Sequence, residues 1–178
     1  MAYDVLHSEL TYQGKLVDIQ QDQIVLPSGR KTIRETVIRK KNAAAVLPIL
    51  PDGKLLFVRQ YRHAAKKMML EIPAGVLETG EDFQTAAKRE LEEETGKTCK
   101  DLKFLCRMYP TVGFCSEQVA IFLAERLEEG TQHLDPGEFI TLEQYTLKEA
   151  LQMIAEEEVE DGKTIAAIFA YAASHKAD

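Results

Sequence analysis

Between Leu70 and Lys97 the chain reads LEIPAGVLETGEDFQTAAKRELEEETGK, with acids and glycines at telling intervals. Gly75 leads to Glu81, then to Arg89-Glu90-Leu91, and Glu93-Glu94 with Gly96 close the run. The pattern predicts a helix beginning near Asp82 and ending at Gly96, a residue suited to the position just past a helix C-terminus. Residues three and four apart share a helix face, so Glu90, Glu93 and Glu94 project together. Three carboxylates placed this way repel one another. They also sit toward the helix C-terminus, where the macrodipole disfavours negative charge. A glutamate-rich run is ordinarily a solvated face, but a sequence needing only a helix would carry its acids earlier. The arrangement calls for positive charge, and an all-oxygen cluster suits hard cations such as Mg²⁺ or Mn²⁺.

The rest of the chain narrows the class. Its 178 residues are enough for one domain with a good core, or one domain plus an arm. A formal charge of −7 with no basic run excludes a general nucleic-acid binder. An anionic substrate would then need local Arg, Lys or metal to attract it. Cys99, Cys106 and Cys115 are odd in number and lack CxxC spacing, which reads as reduced core residues of a cytoplasmic protein. The start, MAYDVLHSEL, carries no signal-peptide pattern. The apolar run 43–50 is far too short to cross a bilayer, so no membrane partner is expected. His7, His63, His133 and His175 show no metal-ligand spacing.

These residues need a frame. Residues 8–41 predict a strand-rich arm, with strands at 16–26 and 31–38 around the turn Leu26-Pro27-Ser28-Gly29. Such an arm is marginal alone and should pack on the main domain or a second subunit. The run 43–50 predicts a buried strand, and 54–62 its partner after the turn Pro51-Asp52-Gly53. Residues 70–75 then lead, unwound, into the helix. Further strands are expected at 102–109, 118–125 and 138–145, and helices at about 147–158 and 162–174. Thr146 with Glu149 forms a capping-box pattern at the start of the first of these. The order argues for an α/β layered domain over 42–178 with a β arm over 1–41.

The run from Gly75 to Lys97 is similar to the Nudix box, G-x5-E-x7-R-E-U-x-E-E-x-G-U with U apolar. Every position matches except the last, where Lys97 stands for an apolar residue. Chance agreement of this kind is on the order of one in a million or less. Arg34-Glu35, Gln60-Tyr61-Arg62, Leu70 to Gly75, Gly113 to Glu117 and Asp161-Gly162-Lys163-Thr164 further resemble the ADP-ribose pyrophosphatases of that superfamily. The resemblance implies an α/β/α sandwich with a mixed sheet. It implies hydrolysis of a nucleoside diphosphate sugar, ADP-ribose giving AMP and ribose 5-phosphate. It also implies Mg²⁺ (or Mn²⁺) cofactors, two or more ions, and a homodimer whose arm crosses to the other subunit.

By the same resemblance Glu90 and Glu94 would bind metal directly, and Glu93 would bind metal or its water. The carbonyl of Ala74 would be a further ligand. Arg89 would hold an acid such as Glu81 so that the helix is aimed correctly, with Gly75 and Gly96 as structural positions of the box. Arg62 and Arg34 would bind substrate phosphate, since a guanidinium can grip one bidentately. Glu117 and Gly113 would line the substrate. The family's catalytic base often comes from the loop before the late strand, here His133 to Ile140. Glu138 is the favoured candidate, with Asp135 or Glu93 as alternatives, because Pro136 stands where a second acid is expected. Val112 replaces a proline used as a marker for ADP-ribose activity, and Lys40-Lys41 replaces a histidine-containing segment. Other ADP-sugars and GDP-mannose therefore remain open, as do a non-catalytic nucleotide-sugar sensor and, less readily, a dinucleoside-polyphosphate or RNA-cap hydrolase.

Overall fold

A computed structural model describes residues 3–175. Two compact units divide the chain. The first runs to Asn42 and also takes in Tyr109–Gln118; the second holds Ala43–Met108 and the chain from Val119 onward.

The first unit is an antiparallel meander of β1 (Asp4–Gln13), β2 (Val17–Val25) and β3 (Lys31–Arg39). The turn at 26–29 closes with Gly29 at φ 80°. That is left-handed backbone, which glycine enters without a Cβ penalty. Every residue of β1 is exposed, Val5, Leu6, Leu10 and Tyr12 included. The segment 109–118 joins this unit through Val37, whose N–H donates to the Phe114 carbonyl at 2.7 Å. Ser116 N–H returns to the Val37 carbonyl at 3.0 Å. An arm drawn as 1–41 alone leaves this segment out, because its hydrogen bonds reach back more than seventy residues and leave no local mark.

The second unit holds β4 (Ala43–Pro48), β5 (Leu55–Arg62), β6 (Lys67–Glu71), β7 (Ala74–Val76), α1 (Phe83–Thr95), β8 (Lys97–Met108), β9 (Val119–Glu129), β10 (Thr141–Tyr145), α2 (Leu147–Ala155) and α3 (Gly162–His175). One sheet runs β7-β4-β9-β8 with β4 and β9 parallel, and a second runs β10-β5-β6. The mixed order is the expected α/β class. Both faces of β4, and of β9 over 119–124, are buried, and these stretches are unbroken apolar runs. Ala44, Val46, Ala120, Phe122 and Ala124 face Ala86, Ala87 and Leu91 of α1. Ala45, Leu47 and Ile121 fall in the other core, with Leu55, Phe57, Ile72, Ala150 and Ile168. Alanine on alanine lets α1 lie close to the sheet, and burying Leu91 there stabilises by about 2 kcal/mol.

Three expectations change. Strand β5 is not the partner of β4; the two meet only at the bridge Ile49↔Leu55, and β5 pairs with β10 and β6. The segment 70–75 is not wholly unwound, because β6 and β7 are strands of different sheets joined by Ile72-Pro73. The late strand begins at Thr141 rather than 138, since Gly137 at φ 97° turns the chain there. Among the described residues no helix is long and apolar enough to cross a membrane.

Candidate active site

Helix α1 starts where Asp82, in extended backbone, accepts the Thr85 N–H at 2.7 Å. It stops at Gly96, which takes φ 66° and donates its N–H to the Glu92 carbonyl at 2.8 Å. These caps set which residues share the last two turns. Glu90 and Glu94 are both buried, on the face toward β7. A Cβ at Gly75 would lie 2.0 Å from Glu90 Oε1, so only glycine lets this carboxylate occupy its place. Ala74 N–H donates to Glu94 Oε2 at 3.2 Å.

Arg89 organises the acids around it. Its Nε and Nη2 each donate to Glu81 at 3.0 Å, and Nη2 also reaches the Val76 carbonyl at 3.2 Å. Its Nη1 bridges Glu90 Oε1 and Glu93 Oε2, both at 2.7 Å. One guanidinium thus ties the helix to β7 and to the loop that precedes the helix. The Glu81 hydrogen bonds hold it firmly protonated, with Glu90 and Glu93 adding to the effect against its partial burial.

The electrostatics mark the pair beneath it. Burial, with the Glu90 charge beside it, pushes the Glu94 carboxyl up to about 8. Burial likewise raises Glu90, against the opposing pull of Arg89, and the charges of Glu93 and Glu138 add to the rise. Two buried carboxylates that resist ionising fit a divalent cation, which would favour their charged forms. The glycine cradle and the oxygen-only donors agree with that fit. Among the described residues no three acid, histidine or cysteine side chains already converge on one point at ligand distance. Arg89 Nη1 holds Glu90 and Glu93 on one nitrogen, while Glu94 accepts from the Ala74 backbone.

The model of the NUDIX domain matches residues 39–168. The chain belongs to the Nudix family. An ADP-ribose pyrophosphatase of Bacillus subtilis (strain 168) is 40% identical over 162 residues, covering 90% of this chain and 87% of that protein. A methanol dehydrogenase activator of Bacillus methanolicus is 39% identical over 165 residues, covering 92% and 89%. The crystal structure of an ADP compounds hydrolase shares the fold at TM-score 0.90, with 21% identity over 99% of this chain and 95% of that one. This chain is a Nudix pyrophosphatase, of a family that works with divalent metal ions.

In this Nudix enzyme Glu138 lies exposed in the loop before β10, and Glu90 and Glu94 both feel its charge. The Asp135 N–H donates to Glu138 Oε2 at 3.2 Å. The same loop is pinned to the end of α1, where Gln132 Nε2 donates to the Glu94 carbonyl at 2.7 Å and His133 N–H to that of Glu93 at 3.1 Å. Arg62 commits Nε and Nη2 to Glu71, at 2.6 and 2.7 Å. Its bidentate grip is thus on a protein carboxylate. Arg34, Gly113 and Glu117 belong to the first unit. There Arg34 lines a cavity of about 660 Å³ with Ile19, Ile33, Val37 and Phe114. Glu117 Oε1 pairs with Arg39 Nε at 2.8 Å, and Gly113 stands in open space.

Nothing in the sequence alone gives Glu71, Lys163 or Thr164 a role. Glu71 is 2% exposed and takes both Arg62 and the Lys163 ammonium. The segment Asp161-Gly162-Lys163-Thr164 was legible as a motif, but nothing local says that it meets Glu71.

Gly75→Ala gives the first prediction. The new Cβ must displace the Glu90 carboxylate by more than an ångström, and such a misplacement can cost about 10²-fold in kcat. Steady-state kinetics with circular dichroism as a check on folding tests this; a folded variant at wild-type kcat contradicts the cradle.

Proposed function

We propose that this Nudix pyrophosphatase cleaves the pyrophosphate of a nucleoside diphosphate sugar, with ADP-ribose first, giving AMP and ribose 5-phosphate. The observation that carries this reading is the buried Glu90–Glu94 pair set against Gly75 and Ala74. The choice of sugar rests on the 40% identical relative of that name.

Glu90, Glu94 and the Ala74 carbonyl would hold Mg²⁺ or Mn²⁺, with Glu93 able to join them when it leaves Arg89. Bound divalent ions supply neutralisation of the anionic pyrophosphate and a lowered pKa for attacking water. Arg89 keeps α1 aimed through Glu81. Arg62 offers Nη1 to a phosphate oxygen, and Arg34, Gly113 and Glu117 are the further substrate-binding candidates. Glu138 takes the proton of the attacking water on a carboxylate oxygen, being exposed and electrostatically coupled to the buried pair. Glu138→Gln is therefore expected to lower kcat about 10²-fold while leaving the Mg²⁺ midpoint within twofold. Should Glu93→Gln show that signature instead, the proton passes to the box.

The exposed apolar side chains of β1 support a homodimer in which that strand is covered. The three free cysteines agree with a reducing, cytoplasmic setting. The relative called a methanol dehydrogenase activator favours a second reading, in which the same hydrolysis serves a partner dehydrogenase.

The test is turnover of a nucleotide-sugar panel with Mg²⁺ or Mn²⁺, products identified by chromatography. AMP and ribose 5-phosphate from ADP-ribose support the first reading. Preference for another sugar keeps the mechanism and moves the substrate. Tight binding without turnover across the panel sinks the enzyme assignment in favour of a sensor, and stimulation of a methanol dehydrogenase by the active protein supports the second reading.

A further inference from the structure

Strands β6 and β7 are joined by Ile72-Pro73, and the residue that follows, Ala74, faces Glu94. Pro73 has no N–H, so the backbone height of this joint depends on its neighbours. The Pro73 carbonyl accepts the Val46 N–H at 2.9 Å, which ties the joint to β4. The Ile72 N–H donates to Thr164 Oγ1 at 2.9 Å, a buried bond that reaches 92 residues along the chain.

Thr164 is fully buried and has its proton directed elsewhere. Its hydroxyl donates to Asp161 Oδ2 at 2.6 Å, leaving a lone pair for Ile72. Asp161 Oδ2 also accepts the Thr164 N–H at 2.9 Å, capping α3. Lys163 Nζ donates to the same oxygen at 3.0 Å and to Glu71 as well. Glu71, next to Ile72 in the chain, completes the circuit through the Arg62 fork. The first turn of α3 therefore grips two consecutive residues, Glu71 by its side chain and Ile72 by its backbone.

We infer that Asp161, Lys163 and Thr164 are positioning residues for the metal site, through the Ile72-Pro73-Ala74 backbone that faces Glu94. This rests on the reading above that Ala74 and Glu94 hold a divalent ion. A methyl group in place of the hydroxyl would fill the same space, so packing alone does not require threonine. What the hydroxyl adds is an acceptor of fixed direction for a buried N–H. Groups that orient metal ligands typically change metal affinity 10–100-fold when removed, although they never touch the ion.

Thr164→Val, Thr164→Ser and Lys163→Gln in the full chain test this. Mn²⁺ binding by electron paramagnetic resonance gives affinity independently of turnover, and thermal melting in chelator gives stability. Thr164→Val is expected to weaken Mn²⁺ about tenfold, with Thr164→Ser within twofold of wild type. The Mg²⁺ needed for half-maximal turnover should rise in parallel. A Thr164→Val protein that melts earlier yet binds Mn²⁺ as wild type does overturns the inference, because its role is then structural only. If that variant does not fold, Lys163→Gln decides: it keeps the Ile72 bond and the Arg62 fork but removes the α3 ammonium from Glu71, and unchanged Mn²⁺ affinity overturns the inference equally. Wild-type protein that binds no Mn²⁺ overturns the metal-site reading itself, and this inference with it.

Discussion

Glu94→Gln is expected to remove turnover, by about 10³-fold or more, while leaving the protein folded. The substitution keeps shape and keeps an acceptor for the Ala74 N–H, since the amide oxygen can take the place of Oε2. What it removes is the charge. A divalent ion contributes several kcal/mol of transition-state stabilisation, and each 1.36 kcal/mol is tenfold in rate. A position that no longer holds the ion loses most of that. A second readout separates loss of metal from loss of fold. A ligand present at a hundred times its Kd stabilises the native state by about 2.7 kcal/mol. Saturating Mg²⁺ should therefore raise the wild-type Tm and leave that of Glu94→Gln nearly unmoved. A variant that is inactive yet still stabilised by Mg²⁺ would show that Glu94 acts on substrate or proton rather than on the ion.

The frame of this site was legible in the sequence to different depths. Glycine, arginine and glutamate spacing over 75–96 placed a capped helix, and that helix runs Phe83–Thr95 with Gly96 in left-handed backbone. The pairing of Arg89 with Glu81 came from the resemblance to the Nudix box rather than from spacing, and the two side chains do meet at 3.0 Å. The apolar run 43–50 marked β4 as a buried strand, and 118–125 marked the position of β9. Neither run showed its partners, since a two-faced strand gives no sign of which neighbour it pairs with. That is why β5 was matched with β4 across the tight turn at 51–53, the ordinary hairpin expectation. The Glu71 cluster was hidden for a related reason. Lys163 lies 92 residues from Glu71, and no helical or strand period links positions that far apart. Arg62 shows the same limit. A guanidinium at a strand end reads as a phosphate clamp or as an ordinary surface arginine, and nothing local shows that it meets the buried Glu71.

That buried acid carries the second large effect, and it falls on stability. Glu71 is 2% exposed and bears two cations, Arg62 through a fork and Lys163 through its ammonium. Burial pushes its carboxyl up, but the Arg62 hydrogen bonds and the Lys163 and Arg62 charges outweigh it and hold the group below its ordinary 4.5. Glu71→Gln leaves the Lys163 ammonium, 14% exposed, with only Asp161. Breaking a buried ion pair from one side costs 3–5 kcal/mol; the 42% exposure of the Arg62 side chain sets the expectation at about 3 kcal/mol. For a chain of this size that lowers Tm by on the order of 10 °C. The pH dependence follows from the direction of the shift. The folded state binds this proton more weakly than the unfolded chain, so the stabilisation is fully present above about pH 4.5 and is lost as pH falls through the lower folded value. Wild type and Glu71→Gln should thus differ most near pH 7 and draw together as pH falls below about 4.5, as measured by urea unfolding across that range. A gap that stays constant down to pH 3 would mean that Glu71 stabilises by shape rather than by charge. Since Lys163 also belongs to the first turn of α3, the same variant should weaken Mn²⁺ binding at pH 7, joining the stability of the fold to the aim of the site.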